Sequence, residues 1–240
     1  MPHVELDDPC PCGSGETFQD CCLKAREEGA EGAVAAAVDW LLSHHEEACD
    51  ETLNEDFLGG LEDEHYERLE ELPEELAELM TANAFEWLLA EGEIEIDGEP
   101  RRAMELVLGP GGPELEEAQR AYLEALGQRG LGLYEVEEAV PGEGLWLEDA
   151  LGRDQPSRIW VAERMASASL EPGNILATRL LPGDPWESSG ALYPFPEELY
   201  SPLIQELQDQ LAGAETPEQE REAIGVILVD SWLELITAAE

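Results

Sequence analysis

The chain has 240 residues, of which 57 are acidic and 12 are basic, so its formal net charge is −45. Such a charge repels nucleic-acid phosphates and anionic membrane surfaces, because binding to either relies on clustered lysine and arginine. Hydrophobic residues nevertheless make up 43% of the sequence, which excludes a disordered acidic tail and supports a buried core. We therefore expect a folded protein with no nucleic-acid partner and no membrane partner.

The basic residues are almost all arginine, and Lys24 is the single lysine. Ordinary small domains carry a net charge of about 2 to 8 in magnitude, and a much larger charge weakens a compact fold unless salt screens it. We interpret the acidity as an adaptation to a salt-rich cytoplasm, which predicts a halophilic source. No signal-peptide pattern and no apolar run near the roughly 20 residues of a spanning helix is present, so we expect a cytoplasmic location.

Four of the five cysteines lie in the N-terminal run DPCPCGSGETFQDCC, at Cys10, Cys12, Cys21 and Cys22. Two close pairs separated by a glycine-containing loop are what a tetrahedral zinc site needs, because the loop must fold back until four thiolates converge at about 2.3 Å from one ion. Four protein ligands leave no open position for water, so this pattern predicts one structural Zn²⁺ and no catalytic metal.

Two other uses of these cysteines stay open. A pair of disulfides is one, although the adjacent Cys21 and Cys22 rarely suit two unstrained bridges. A redox centre is the other, but it typically shows Cys-x-x-Cys beside a βαβ pattern, which this sequence lacks. The spacing favours zinc over both.

The spacing and the Pro-Cys-Gly-Ser-Gly segment between the pairs resemble the SEC-C motif, a zinc knuckle best known from the C-terminal tail of the SecA translocation motor. The resemblance covers about residues 7–26, and it implies that all four cysteines bind zinc, with Cys22 where family members carry Cys or His. It also implies a protein-docking role. On that basis we expect three residues to contact a partner. They are the apolar loop residue Phe18 and two basic residues, Lys24 and Arg26, where the chain leaves the knuckle.

Helical periodicity dominates the next part of the chain, which we interpret as an acidic helical region over residues 30–130. Apolar residues recur at helical spacing in four segments, and one short alternating segment, 93–98, predicts a strand entering a turn. The four helical segments are 34–47, 73–89, 104–108 and 113–126, the second and last opening at Pro73 and Pro113.

The pattern changes near residue 131, where five short segments with turn signals predict a small antiparallel β meander or barrel over residues 131–196. This part also resembles a β segment that accompanies some bacterial SEC-C proteins. Residues 197–240 return to helical spacing, and Thr216-Pro217-Glu218-Gln219 predicts a helix start. The fold class is therefore α+β: a zinc knuckle (1–27), a helical region, a β unit and C-terminal helices.

Catalytic patterns are missing from the sequence. His44 and His45 with Cys49 form an alternative second metal site, but adjacent histidines point to different sides of a helix, which favours solvated surface residues. We therefore predict a non-enzymatic adaptor for a protein partner that the sequence does not name, in an oligomeric state it leaves open. The main alternative is an enzyme or a regulatory ligand-binding domain between the helical and β regions. In a third interpretation the knuckle only stabilises the fold, and the partner binds elsewhere on the protein.

Overall fold

The computed structural model describes residues 6–10, 12–153, 157–183 and 185–238, with the backbone alone for residues 26–28, 30 and 31. It confirms the predicted α+β architecture, with the cysteine cluster at the N-terminus and an antiparallel five-stranded sheet. Within the described ranges, no helix combines the length and the apolarity needed to cross a membrane. The division of the chain into four regions stays a prediction.

The helices are α1 Lys24–Thr52, α2 Asp63–Arg68, α3 Glu74–Ala90, α4 Ala103–Leu108, α5 Glu117–Gln128, α6 Tyr200–Leu211 and α7 Pro217–Thr237. Short π-helical turns, Gln19–Leu23 and Leu53–Phe57, flank α1, and 3₁₀ turns cover Leu69–Glu71, Ala166–Ala168 and Glu197–Leu199. The predicted helix start at Thr216 is confirmed, because its hydroxyl accepts a hydrogen bond of 3.2 Å from the Gln219 N–H.

The start of α5 differs from the prediction, which placed it at Pro113. The helix begins at Glu117 because Glu116 and Gln119 form a capping box, each side chain accepting a hydrogen bond from the backbone N–H of the other. Two orphan donors of the first helical turn are satisfied in this way. The residues from Pro113 to Glu116 precede the helix.

The strands are β1 Glu93–Ile96, β2 Glu99–Arg102, β3 Gly132–Val140, β4 Gly144–Asp149, β5 Arg158–Val161, β6 Ile175–Thr178, β7 Leu180–Leu181, β8 Glu187–Ser188 and β9 Tyr193–Phe195. The large sheet has the order β5-β4-β3-β6-β9. Its first three strands form the predicted meander, and β6 then pairs with the other side of β3. In the part of the chain that is described, β5 and β9 are edges that do not pair with each other, so the sheet is open and not a barrel.

Apolar side chains pack on both faces of this sheet. On one face, Leu133 and Tyr193 join a core with Leu207 of α6 and Trp232 of α7. On the other face, residues such as Val136 pack with the segments that follow β5 and β6. A separate core joins α1, α3, α4, α5 and β1. The knuckle therefore sits at the start of α1, where the helical core and the sheet approach each other.

The net charge of −45 leads to a prediction about salt. We expect the free energy of unfolding to be several kcal/mol higher in about 2 M KCl than in about 50 mM KCl, because salt screens the mutual repulsion of the carboxylates. Urea unfolding at a series of KCl concentrations measures this. Equal stability at both salt concentrations would contradict the halophilic interpretation.

Candidate metal centre and the adjoining cleft

The side chains of Cys10, Cys12, Cys21 and Cys22 converge, with their Sγ atoms all within 4.8 Å of one another. The Cys12 Sγ lies 3.3 Å from the Cys10 Sγ and 3.6 Å from the Cys21 Sγ. Four sulfurs at about 2.3 Å from a central zinc lie about 3.8 Å apart, so this arrangement fits a tetrahedral zinc site. All four cysteines are free thiols in the structure, which does not support the alternative of two disulfides.

The first pair of cysteines is held by a tight backbone loop. The Cys10 N–H donates to the Glu16 carbonyl at 2.9 Å, and the Gly13 N–H donates back to the Cys10 carbonyl at 3.0 Å. Gly13 has φ +78° and Gly15 has φ +86°, in the left-handed region that favours glycine. The predicted role of these glycines, to reverse the chain between the two pairs, is therefore confirmed.

The second pair lies on the π-helical turn that leads directly into α1. Thr17 lies two residues before this turn, and its hydroxyl accepts a hydrogen bond from the Asp20 N–H at 3.4 Å and donates one to the Asp20 carboxylate at 2.8 Å. A hydroxyl at this position satisfies one of the free N–H groups of a helix start. Cys21 and Cys22 are thus fixed to the end of a long helix, while Cys10 and Cys12 are carried by the loop.

The thiols influence one another's ionisation. A hydrogen bond from the Ser14 side chain lowers the pKa of Cys12 to about 6. The neighbouring Cys10 side chain and burial raise the pKa of Cys22 to about 12. Closely packed thiolates repel each other, so all four ionise together only when a cation offsets their charge. A divalent, thiophilic ion such as Zn²⁺ has the charge and ligand preference to do this.

The alternative second metal site is not formed. Among the residues that are described, the N-terminal cysteines are the one group of three or more candidate ligands that come together. The His44 ring stacks on Trp40, with 4.8 Å between ring centroids, and His45 also contacts Trp40. Cys49 is fully buried in the helical core.

Phe18 is not the exposed docking residue that the sequence predicted. Its side chain is 0% exposed and forms a buried cluster with Cys10, Leu23 and Ala162. The prediction is wrong because the turn after Thr17 directs the ring inward, onto the segment that follows β5. Lys24 is exposed at the first position of α1, and the Arg26 side chain lies outside the described residues. A role for these two basic residues in partner binding stays a prediction.

The burial of Phe18 gives a testable expectation. Phe18→Ala should destabilise the docked knuckle by about 3–5 kcal/mol, the usual cost of truncating a buried phenylalanine, while zinc remains bound because every cysteine is kept. Hydrogen exchange should then become faster at the knuckle and at Ala162. Val226→Ala, at an exposed residue of α7, is the control and should leave exchange at the knuckle unchanged. Unchanged exchange in Phe18→Ala would contradict the packing.

A cleft of about 840 Å³ opens beside the knuckle, between the helical core and the sheet. Leu23 of the knuckle, Phe85 of α3 and Tyr122 of α5 line one side of it, and Met165 and Ser188 line the other. The cleft lies where the sequence analysis placed an alternative ligand site. Its far wall is the loop after β5, where the Glu163 carboxylate accepts hydrogen bonds from the Met165 N–H, the Ala166 N–H and the Ser188 hydroxyl.

A buried ion-pair network supports the floor of this cleft. Arg179, between β6 and β7, is fully buried and donates to Glu86 at 2.8 Å and to Glu91 at 2.9 Å. Glu86 also accepts from the Ser189 hydroxyl at 2.7 Å and from the Ala191 N–H at 2.9 Å. The network fastens α3 to the segment around β8 and leaves the Glu86 carboxylate saturated with donors.

Sequence reasoning missed this network because 57 acidic residues make carboxylate pairs uninformative. A usable signal was present, however. Arg179 is the one charged residue in the apolar run from Ile175 to Leu181. An arginine in such a run is expected to be buried, and a buried arginine requires carboxylate partners.

Residues 8–24 match the family model of the SEC-C motif, and this range contains all four converging cysteines. No curated protein and no solved structure shows a significant match to the chain. The match covers the knuckle, so it identifies this segment and not the helical and β regions. The N-terminal segment of this chain is a SEC-C motif whose cysteine cluster fits a zinc knuckle.

Proposed function

We propose that this protein is a non-catalytic protein–protein adaptor whose N-terminal knuckle is organised by one structural zinc ion. The observation that carries the proposal is the closed set of four converging thiols. Cys10, Cys12, Cys21 and Cys22 would fill the coordination shell of Zn²⁺, which then supplies cross-linking of the chain and no activated water.

The knuckle is too short to have a hydrophobic core of its own, so its folding depends on the metal and on the body of the protein. Phe18 and Leu23 provide the contact with the body by packing on Ala162. Zinc therefore holds in place one wall of the adjoining cleft, since Leu23 and Ala162 also line it. A metal-organised wall beside an open cleft supports a binding role.

The polar groups of the cleft support binding over catalysis. Glu86 and Glu163 accept hydrogen bonds from protein donors, and the Tyr122 hydroxyl donates to the Ser189 carbonyl at 2.6 Å. Burial and the nearby Glu86 raise the pKa of Tyr122, which keeps the phenol protonated. A carboxylate whose oxygens already hold donors is a poor general base, because it must break those bonds to take a proton.

The test combines metal analysis with partner capture. Untagged protein purified in high salt with reductant should contain one zinc per chain by elemental mass spectrometry, and the Cys10→Ser/Cys12→Ser double variant should contain none. Capture from a lysate of the source organism should recover a defined protein with the wild type and lose it with the double variant. Absence of zinc, or capture that does not depend on the cysteines, would overturn the proposal.

The volume of the cleft favours one second candidate, a regulatory domain that binds a small molecule. Small-molecule pockets commonly measure about 300–1,000 Å³, and this cleft of about 840 Å³ falls in that range. Thermal unfolding in the presence of a metabolite library tests this candidate. Stabilisation by a single compound, abolished by a substitution of Phe85, would favour it over the adaptor.

A further inference from the structure

We propose that the cleft beside the knuckle docks a basic amphipathic segment of the partner protein, with an apolar side chain of that segment seated between Phe85 and Met165. The proposal rests on the adaptor function above and gives the partner a chemistry: apolar side chains on one face and lysine or arginine on the other. Three features of the cleft carry it: an exposed methionine, an apolar lining and the sign of the surrounding charge.

Met165 is the most exposed large apolar side chain in the described part of the chain, at 86%. It is not carried by a loose end, because its N–H donates at 3.0 Å to the Glu163 carboxylate, which also holds the Ser188 hydroxyl on the neighbouring β8. The Met165 side chain is therefore exposed to solvent at the edge of the cleft, on a backbone that is fixed by hydrogen bonds. Methionine is adaptable in shape and is common at surfaces that bind apolar segments of other proteins.

The lining behind Met165 continues the apolar surface. Leu23, Val34, Phe85 and Ala162 line the same cleft, and they come from the knuckle, from α1, from α3 and from the loop after β5. A methionine at the mouth with an aromatic ring behind it forms a seat for one bulky side chain. Burial of such an anchor in a desolvated pocket is the usual source of most of the affinity of a protein interface.

The charges around the cleft select for a basic partner. Glu163 and Glu187 line it together with Arg164, while the charge of Glu86 is offset by Arg179. The remaining excess is negative, and it lies within a chain of net charge −45. A field of this sign attracts basic segments and repels acidic ones. At high salt the attraction is screened, so the apolar contact must supply the affinity there.

The saturated polar groups favour a protein segment over a small molecule. Small ligands are oriented by a few precisely placed donors and acceptors, and in this cleft Glu163, Ser188 and the Tyr122 hydroxyl are already paired within the protein. An amphipathic segment needs an apolar seat and an acidic rim, and both are present.

The experiment uses the full, zinc-loaded chain and a fluorescent synthetic peptide with leucine at helical spacing and lysine at the other positions. Fluorescence anisotropy measures its Kd at low and at high KCl concentration. Two control peptides replace the leucines by serine or the lysines by glutamate. We expect the leucine–lysine peptide to bind at both KCl concentrations and the serine control to bind at least about tenfold more weakly at both. The glutamate control should bind at least about tenfold more weakly at low KCl, and this difference should shrink at high KCl because salt screens the charges.

Two matched variants locate the binding site. Met165→Ser should weaken binding of the leucine–lysine peptide about tenfold or more, because it removes the apolar surface that Met165 buries against the leucine side chain. Val226→Ser is the control, because Val226 is also apolar and exposed, at 54%, but lies on α7 outside the cleft. Both side chains are at the surface, so both variants should fold.

The outcomes separate the two proposals. Equal affinity of the two variants, or equal binding of the serine control peptide, would overturn the cleft as the docking site, because charge alone would then explain the binding. Zinc content is measured in the same samples. A chain that holds its zinc and fails these tests leaves the adaptor function standing, whereas a chain without zinc overturns the adaptor function itself.

Discussion

Replacing Arg179 with methionine should lower the free energy of unfolding by about 3–5 kcal/mol, the typical cost of removing one partner from a buried ion pair. Arg179 is fully buried between Glu86, itself 4% exposed, and Glu91, 15% exposed. Methionine fills much of the same volume but donates no hydrogen bond. The main loss is therefore electrostatic: Glu86 loses its cation in a poorly hydrated site, and Glu91 keeps only the longer contact of 3.9 Å to Arg221.

The ionisation of this arginine supports the expectation. Burial by itself would lower the pKa of Arg179, but the opposing charges of Glu86 and Glu91 raise it above the ordinary value. The guanidinium is therefore charged at every pH at which the protein is folded, and the network carries its full charge. Urea or guanidinium unfolding at constant high salt measures the change.

Arg158→Met is the matched control for the Arg179 variant. Arg158 lies at the sheet edge, is 48% exposed, and pairs with Glu137 and Glu138. Exposed pairs of this kind contribute about 0–1 kcal/mol, so its loss should have a small effect. If Arg179→Met costs no more than Arg158→Met, the buried network does not stabilise the fold as described.

A double variant measures how much of the lost stability comes from the pairing of Arg179 with Glu86. Glu86→Gln combined with Arg179→Met removes one stranded charge and keeps an acceptor for the Ala191 N–H. This double variant should be more stable than the sum of the two single variants indicates, because each single change leaves an unpaired partner. The double-mutant cycle then reports the coupling between α3 and the β region directly.

The cysteine site could be predicted from the sequence because its chemistry is local. Four ligands within one short run, with glycines at the reversal, restrict the chain to few arrangements. The helix start at Thr216 and the strand Ile175–Thr178 were predictable for a similar reason, since a helix cap and a short apolar run between turn residues both depend on neighbouring residues. The structure confirms these elements.

The parts that the sequence did not predict depend on contacts between distant residues. Phe18 is buried because it packs on Ala162, which is far away in the sequence. No residue near Phe18 in the sequence indicates this contact. The pairing of β6 with β3 is another example, because in a simple meander β6 would pair with the preceding strand, β5. The cleft arises from the same long-range packing, since its walls come from the knuckle, three helices and the β region.

If the cysteine cluster binds zinc as proposed, loss of one of its four cysteines should have the largest local effect in this protein. Cys22→Ser should reduce the zinc content from one per chain to none at ordinary free-zinc concentrations, because a closed structural site depends on all four ligands. Hydrogen exchange should then become fast at the backbone amides of the knuckle, including those of the turn Gln19–Leu23. Elemental mass spectrometry and hydrogen-exchange mass spectrometry measure the two effects on one preparation.

Cys49→Ser is the matched control, since it makes the same chemical change at the fifth cysteine. Cys49 is 0% exposed in the helical core, so a hydroxyl there should cost about 1–3 kcal/mol of global stability while zinc remains bound. Cys22→His tests the ligand role itself, because the resemblance to the SEC-C motif implies that either residue serves at this position. Zinc bound by Cys22→His but not by Cys22→Ser would establish ligation by residue 22.

The extent of the exchange change in Cys22→Ser decides how far the metal acts. Because Phe18 and Leu23 pack on Ala162, release of the knuckle should also expose the loop from Ala162 to Ala166, which forms the far wall of the cleft. Among the described residues, the core around Trp232 forms a cluster separate from that of the knuckle, so it should keep its protection. Fast exchange confined to the knuckle would show that zinc does not control the cleft. Fast exchange that includes the Ala162–Ala166 loop would make the metal a determinant of the docking surface.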